Sequence, residues 1–379
     1  MKSKLSGIAA VFVAAALIAS AGCSSPAATP AGGGSQAPAK KVVKIALSNS
    51  YIGNKWRAEM VNDFKSVCAS TPWKDDVQCS VYNSGNDVSK QSQDIQNLIA
   101  ERVDAILVDA SSPTGLNGVI KQACDKGILV ISFDSFATAE CGLVVNTDQK
   151  KYGEMAADWL VKKMNGQGNV IMVTGVAGTG VDTDRNAGAE AVFAKNPGVK
   201  VVAKYPGDWD SATALRNTAA QLPSLPQVDG VWAQGGTDGV LKAFISAGKP
   251  LPVVAGEAEN GFRKFLLKDG YPGPDAALKG KKVEGFSIGQ PPYLSVVALE
   301  MARQILQGKM DKKSIDLPFP TVTNETAEIG VNVFPDLDDS FFTTFTDSGP
   351  SAVVSLCKEA AIDGTPCPNG AKVQLPAQK

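Results

Sequence analysis

The sequence predicts an α/β protein of two lobes, each a parallel sheet covered by helices on both faces. Three observations lead there. From Lys41 onward, short apolar runs alternate with amphipathic stretches. The runs are almost continuously apolar, as expected of parallel strands buried on both sides. The alternation pauses at "VVNTDQK" (144–150) and then restarts over a similar length.

In the first array the expected strands are "VVKIAL" (42–47), "VQCSVY" (77–82), "AILVDA" (105–110) and "ILVISFD" (128–134). Helices are expected over 54–70, 87–102 and 113–126. The 87–102 stretch places Val88, Gln91, Ile95, Leu98 and Ile99 on one face, with Asp87 as N-cap. In the second array, helix 149–164 leads to "NVIMVTG" (169–175), helix 184–196, "VKVVAKY" (199–205) and helix 211–222. Strand "VDGVWAQ" (228–234), helix 238–247, "LPVVAGE" (251–257) and "VEGFSIG" (283–289) complete it. Trp159 and Trp232 fall within helix and strand patterns and read as core.

Ahead of the arrays, Lys2 and Lys4 precede an apolar run, Leu5 to Ile18, that ends at "SAGC". The run is too short for a membrane span and fits a signal peptide, residues 1–22. The small residues before Cys23 resemble a bacterial lipobox, implying cleavage and lipidation at Cys23, with an ordinary secretory signal as the alternative. "SSPAATPAGGGSQAPAK" (24–40) is too poor in large apolar residues to build a core, so 23–40 reads as a flexible tether. An extracytoplasmic site follows, on the outer face of the cytoplasmic membrane or in the periplasm. The other six cysteines, Cys68, Cys79, Cys124, Cys141, Cys357 and Cys367, are even in number and outside the cytoplasm. They allow 15 pairings. Proximity favours 68–79, 124–141 and 357–367.

Hydrophobic residues make up 44% of the chain and the net charge is −1. That balance offers nothing to a polyanion, so no nucleic-acid partner is expected. There is no histidine, which removes the commonest general base and metal ligand. No metal and no cofactor are expected. "GVAGTG" is not a phosphate loop, because Val181 stands where such a loop needs Lys.

Ligands of open parallel sheets bind outside the carboxyl ends of the strands. There the first array places Asn54, Trp56 and Arg57, then Asp109, then Asp134. The second places Thr183 and Arg185, then Asp208, Trp209 and Asp210, then Gln234, Glu257 and Gln290. Carboxylates and amides accept from hydroxyls, a guanidinium donates in a fixed fork, and an indole covers an apolar ring face. The set suits a neutral polyhydroxylated ligand. Asp109 and Asp134 also read as caps or turn acids, and Arg185 as a brace to Asp182 or Asp184.

With these motifs in order, from "SYIGNKWR" through "QSQDIQNLIAERVDAILVDA", "GILVISFD", "GVAGTGVDTDRNAG", "GDWD" and "GVWAQGGTDGVLKAF" to "VVAGE" and "GFSIGQPPYLSVVALE", the chain resembles the type I periplasmic sugar-binding proteins of ABC importers. The resemblance covers about Lys41 to Thr321. It implies two Rossmann-like lobes joined by a three-crossing hinge: 41–146 with 291–321, and 147–290 with 322–379. The crossings fall near Asn146–Thr147, Gln290–Pro291 and Pro320–Thr323. It further implies a monomer that captures a sugar and presents it to an ABC permease, and no enzyme activity. By resemblance, Asn54 binds hydroxyls, Trp56 and Trp209 face the ring from opposite lobes, Asp109 and Asp134 accept, and Arg185 clamps. Glu257 takes the place of a family Asp, and Gln290 that of a hinge-side amide.

Three positions depart from ribose binders: Ser135 replaces Arg, Gly235 replaces Asn, and Arg57 replaces a second aromatic. A guanidinium lost at 135 and regained at 57 would reposition one charge around a different sugar. Two other uses stay open: a sensing subunit for a receptor kinase, and an exported glycosidase with paired carboxylates among Asp109, Asp134 and Glu257. The tail beyond Thr321, with "FPDLDDSFFTTF", has no assignment.

Overall fold

The computed structural model describes residues 42–69 and 73–342, together with a two-stranded antiparallel ladder of Val353–Val354 with Val373–Gln374. Cys23 and the Cys357–Cys367 pair lie outside the described residues.

The first sheet contains β1 (Val43–Asn49), β2 (Val77–Asn83), β3 (Ala105–Asp109), β4 (Leu129–Phe133), β5 (Leu143–Asn146) and β11 (Ser314–Asp316). Their order is β11-β5-β4-β3-β1-β2, and every pairing is parallel. β1 is an inner strand between β3 and β2, and all of it but Lys44 is buried. One face packs on α1 (Lys55–Ala69) and α9 (Leu294–Leu306), the other on α2 (Val88–Glu101) and α3 (Asn117–Asp125). That double cover is the physical reason for the unbroken apolar runs. Asp87 caps α2 by accepting from the N–H groups of Ser89 and Lys90. Disulfides Cys68–Cys79 and Cys124–Cys141 tie the end of α1 to β2, and α3 to the loop before β5.

The second sheet contains β6 (Gly168–Thr174), β7 (Val199–Pro206), β8 (Gly230–Ala233), β9 (Val253–Gly256), β10 (Gly285–Ile288) and β12 (Thr321–Thr323), in the order β12-β10-β9-β8-β6-β7. β12 alone runs antiparallel. Helices α4 (Gln149–Lys163), α5 (Gly180–Lys195), α6 (Ser211–Gln221), α7 (Thr237–Ser246) and the short α8 (Asn260–Lys264) cover it. Trp232 is fully buried, while Trp159 is half-buried and stacks on Phe286 with ring centroids 5.6 Å apart.

Several elements differ from the sequence reading, which contains no counterpart of β11, β12 or α8. The pause at 144–150 overlaps β5, which at four residues is too short to announce itself by periodicity. α5 begins at Gly180, because Thr179 caps it through the Asp182 N–H. The sequence reading does not include α9: its first six residues, Leu294–Leu299, are buried all round, and its polar positions, Glu300, Arg303 and Gln304, come only in the second half, too few to show a period.

The chain passes between the sheets three times: between β5 and α4, between β10 and α9, and between β11 and β12. All of these lie at one edge, so the carboxyl ends of the two sheets face each other.

Candidate functional site

A cleft containing about 370 Å³ of atom-free space, part of it open to solvent, lies where the strand ends meet. The first lobe supplies Asn54, Trp56, Arg57 and Asp134; the second supplies Val181, Arg185, Trp209, Gln234, Gly235 and Glu257. Gln290, at the second crossing, and Phe342 complete the wall.

In the first lobe, Asn54 closes the start of α1. Its Oδ1 accepts from the Arg57 N–H at 2.9 Å and its amide donates to the Tyr51 hydroxyl at 3.1 Å. The Trp56 indole packs in the core and donates its N–H to the Gln290 carbonyl at 2.7 Å. Core anchor and cleft wall are therefore one residue. Arg57 is only 4% exposed, and its guanidinium is ion-paired to Asp109 and, at 3.0 Å, to Asp134. It also donates to Asn49 Oδ1 at 3.1 Å and ends beside Ser135 Oγ at 3.5 Å. Asp109 is fully buried behind Arg57 and does not line the cleft. Asp134 takes a left-handed backbone, φ +55°, at the end of β4.

In the second lobe, Arg185 is buried at the floor. It donates from Nε to Gln149 Oε1 (2.8 Å) and from Nη1 to Glu257 Oε2 (2.9 Å) and the Gln234 carbonyl (3.3 Å). Its guanidinium lies 3.7 Å from the Tyr152 ring centroid, a cation–π contact. Its partners are these, not Asp182 or Asp184. Burial pushes the Glu257 carboxyl up, opposed by Arg185 and by the N–H groups of Ala258 and Gln290. Trp209 rests on two successive left-handed residues, Asp208 (φ +55°) and Trp209 itself (φ +54°). Its ring lies directly on Gly175, where any Cβ would collide with the indole. Its N–H reaches Gln234 Oε1 at 3.3 Å.

Gln290 joins the halves. Its carbonyl accepts from Trp56, its N–H donates to Glu257 Oε1 at 3.0 Å, and its amide donates to Asp134 (2.9 Å) and Thr147 (3.0 Å). Its buried Oε1 accepts no hydrogen bond among the described residues.

Eight of the nine sequence candidates thus meet in one cleft; Asp109 stands one layer behind. Val181, Gln234, Gly235 and Phe342 line it without having been placed in the ligand set. Gln234 carried a signal, as the residue after an apolar strand. Phe342 carried none, since nothing in the tail's pattern shows where it folds back.

Two α/β lobes hinged at one edge, with a polar and aromatic cleft between facing strand ends, define a two-lobed ligand-binding protein. The chain belongs to the periplasmic binding protein family: the profile of the periplasmic binding protein domain matches residues 45–310. It is 28% identical over 291 residues to the ribose import binding protein of Bacillus subtilis, covering 76% of this chain and 89% of that one. The xylitol-binding protein of Mycolicibacterium smegmatis is 26% identical over 257 residues, 66% of this chain and 70% of its own length. Among solved structures, an ABC transporter solute-binding protein from Thermobispora bispora superposes with a TM-score of 0.68 at 30% identity, covering 77% of this chain and 89% of that chain.

Proposed function

We propose that this chain captures a monosaccharide or similar polyol between its lobes and delivers it to the permease of an ABC importer. The observation that carries the reading is the cleft itself, where Trp56 and Trp209 come from opposite lobes among carboxylates, guanidinium groups and amides. Contacts from both lobes exist together only when the lobes are closed, so ligand shifts the population toward closure. The names of the ribose- and xylitol-binding relatives support this ligand class.

Within the cleft we assign ligand contact to Asn54, Trp56, Arg57, Asp134, Arg185, Trp209, Glu257 and Gln290, with Gln290 Oε1 free to accept from a hydroxyl. Asp109 acts through Arg57, holding the guanidinium in place. The end of that guanidinium beside Ser135 supports the idea that Arg57 replaces the charge found at 135 in ribose binders. We assign no catalytic role: Glu257 is committed to Arg185 and two backbone N–H groups. The lobes we assign are 41–146 with 291–321 and 147–290 with 322 onward. Export and a lipid anchor at Cys23, with 24–40 as tether, would hold the protein near its permease. No helix among the described residues is long and apolar enough to cross a membrane.

A thermal-shift screen against pentoses, hexoses and polyols tests the reading. A ligand that binds only the folded form raises the melting temperature by mass action. Absence of a shift with every carbohydrate would overturn the sugar assignment.

A further inference from the structure

The segment after β12 does not stay with one lobe. Residues 332–341 seat on the second lobe around Asn260, which is fully buried. The Asn260 amide donates to the carbonyls of Phe334 (2.7 Å), Leu337 (3.0 Å) and Asp338 (3.2 Å), and its Oδ1 accepts from the Phe334 N–H (2.9 Å). Its own N–H donates to the Phe341 carbonyl at 2.7 Å. Asp339 accepts from Lys242, Lys264 and Tyr271 at 2.7–2.9 Å. Burial would raise its carboxyl, but hydrogen bonds and charge from Lys242 and Lys264 outweigh that and hold it low. Gly261 lets the segment lie this close, since a Cβ there would stand 2.6 Å from the Asp339 Cβ. Phe334, Leu337 and Phe341 form a small core of their own.

The end of the segment then reaches the first lobe. The Phe342 N–H donates to Glu59 Oε1 on α1 at 2.9 Å, and the ring joins the first-lobe core that holds Trp56. The same ring lines the ligand cleft. A residue fixed to one lobe through its neighbours and packed into the other is placed by tertiary structure alone.

We propose that residues 332–342 form a strap across the cleft edge, and that Phe342 is a specificity-determining wall for the bound ligand. The inference rests on the binding function above and deepens it. Phe342 is apolar and rigid, so it limits ligand size beside Trp56 and meets a C–H face of the ligand rather than its hydroxyls. Asn260 and Asp339 are positioning residues, setting where that wall stands.

The test compares the wild type with Phe342→Ala, Phe342→Leu and Gly261→Ala. Each is titrated calorimetrically with D-ribose, L-arabinose, D-galactose, xylitol and myo-inositol. Phe342→Ala is expected to weaken the best wild-type ligand by about tenfold and to narrow the gap between smaller and larger ligands. Phe342→Leu keeps the bulk, so it loses affinity but retains the size limit and guards against a folding artefact. Gly261→Ala displaces Asp339 and shifts the same preferences without touching the cleft. Affinities of Phe342→Ala that all stay within about twofold of wild type would overturn the proposal. If wild type binds none of the five sugars and polyols, the proposed function fails separately. The strap is then judged on ligand-free protein by acrylamide quenching of tryptophan fluorescence. Loss of the Phe342 ring should expose Trp56 and raise quenching, and unchanged quenching refutes the wall.

Discussion

Replacing Arg57 with Met probes the buried centre of the first lobe most directly. Arg57 is 4% exposed, and its guanidinium sits between Asp109, which is fully buried, and Asp134, which is 5% exposed. Met keeps the apolar stem and removes only the charge and its hydrogen bonds. Two carboxylates then remain in the protein interior with no cation between them. Breaking a buried ion pair in this way costs about 3–5 kcal/mol, mainly because the abandoned charges have lost water as well as their partner. Two carboxylates here share one guanidinium, so the upper part of that range is expected. With a urea slope of about 3 kcal/mol/M, a loss of about 4–5 kcal/mol lowers the unfolding midpoint by roughly 1.3–1.7 M. The assay is urea unfolding followed by far-ultraviolet circular dichroism at neutral pH without ligand. The combined variant Arg57→Met, Asp109→Asn, Asp134→Asn removes the stranded charges too, and should recover much of the loss. If Arg57→Met unfolds within about 1 kcal/mol of wild type, or the combined variant is no more stable than it, the buried-charge argument is wrong.

Other perturbations follow from the same geometry. Gln290→Ala removes the amide between Asp134 and Thr147, so ligand affinity should fall by about tenfold or more; small-angle scattering should show a more open ligand-free ensemble. Unchanged affinity and dimensions would remove Gln290 from the hinge. The Asp63 carboxyl on α1 is pushed up to about 8 by burial. Its folded-state value lies above the unfolded one, so its stability contribution is full below about pH 4 and is lost as pH rises toward about 8. Asp63→Asn should therefore melt close to wild type near pH 4 and gain on it by several degrees near pH 8; a pH-independent difference would refute this. Breaking Cys124–Cys141 by double Ser substitution should cost about 2–4 kcal/mol in denaturant unfolding, and no loss would mean the bridge does not constrain the unfolded chain.

Much of this architecture is legible in the residues. Strands β1, β3 and β6 declare themselves because sheets covered on both faces demand unbroken apolar runs. Helix α2 declares itself through period and an Asp cap. β5 and β11 do not, since strands of four and three residues offer too few positions for a pattern. α9 is hidden for a different reason, its first half being buried all round and its polar positions confined to the second. The site was partly readable because ligands of such sheets gather at strand ends, a rule that needs only the order of elements. It picked out Asn54, Trp56, Arg57, Asp134, Arg185, Trp209, Glu257 and Gln290. The rule cannot separate a cleft wall from the layer behind it, which is why Asp109 was grouped with its neighbours.

Local sequence was enough to determine the two βα arrays, the Asp87 cap, the two neighbouring disulfides among the described residues, and the polar character of the loop ends. Each depends on residues near one another in the chain, where periodicity, capping and loop closure act. Tertiary structure alone decided which carboxylates share Arg57, that Gln290 joins both halves, and that Phe342 reaches Glu59 and the first-lobe core. Those contacts span sequence separations of up to 283 residues. They depend on the relative placement of two sheets and a strap, and no pattern within a single segment carries that information.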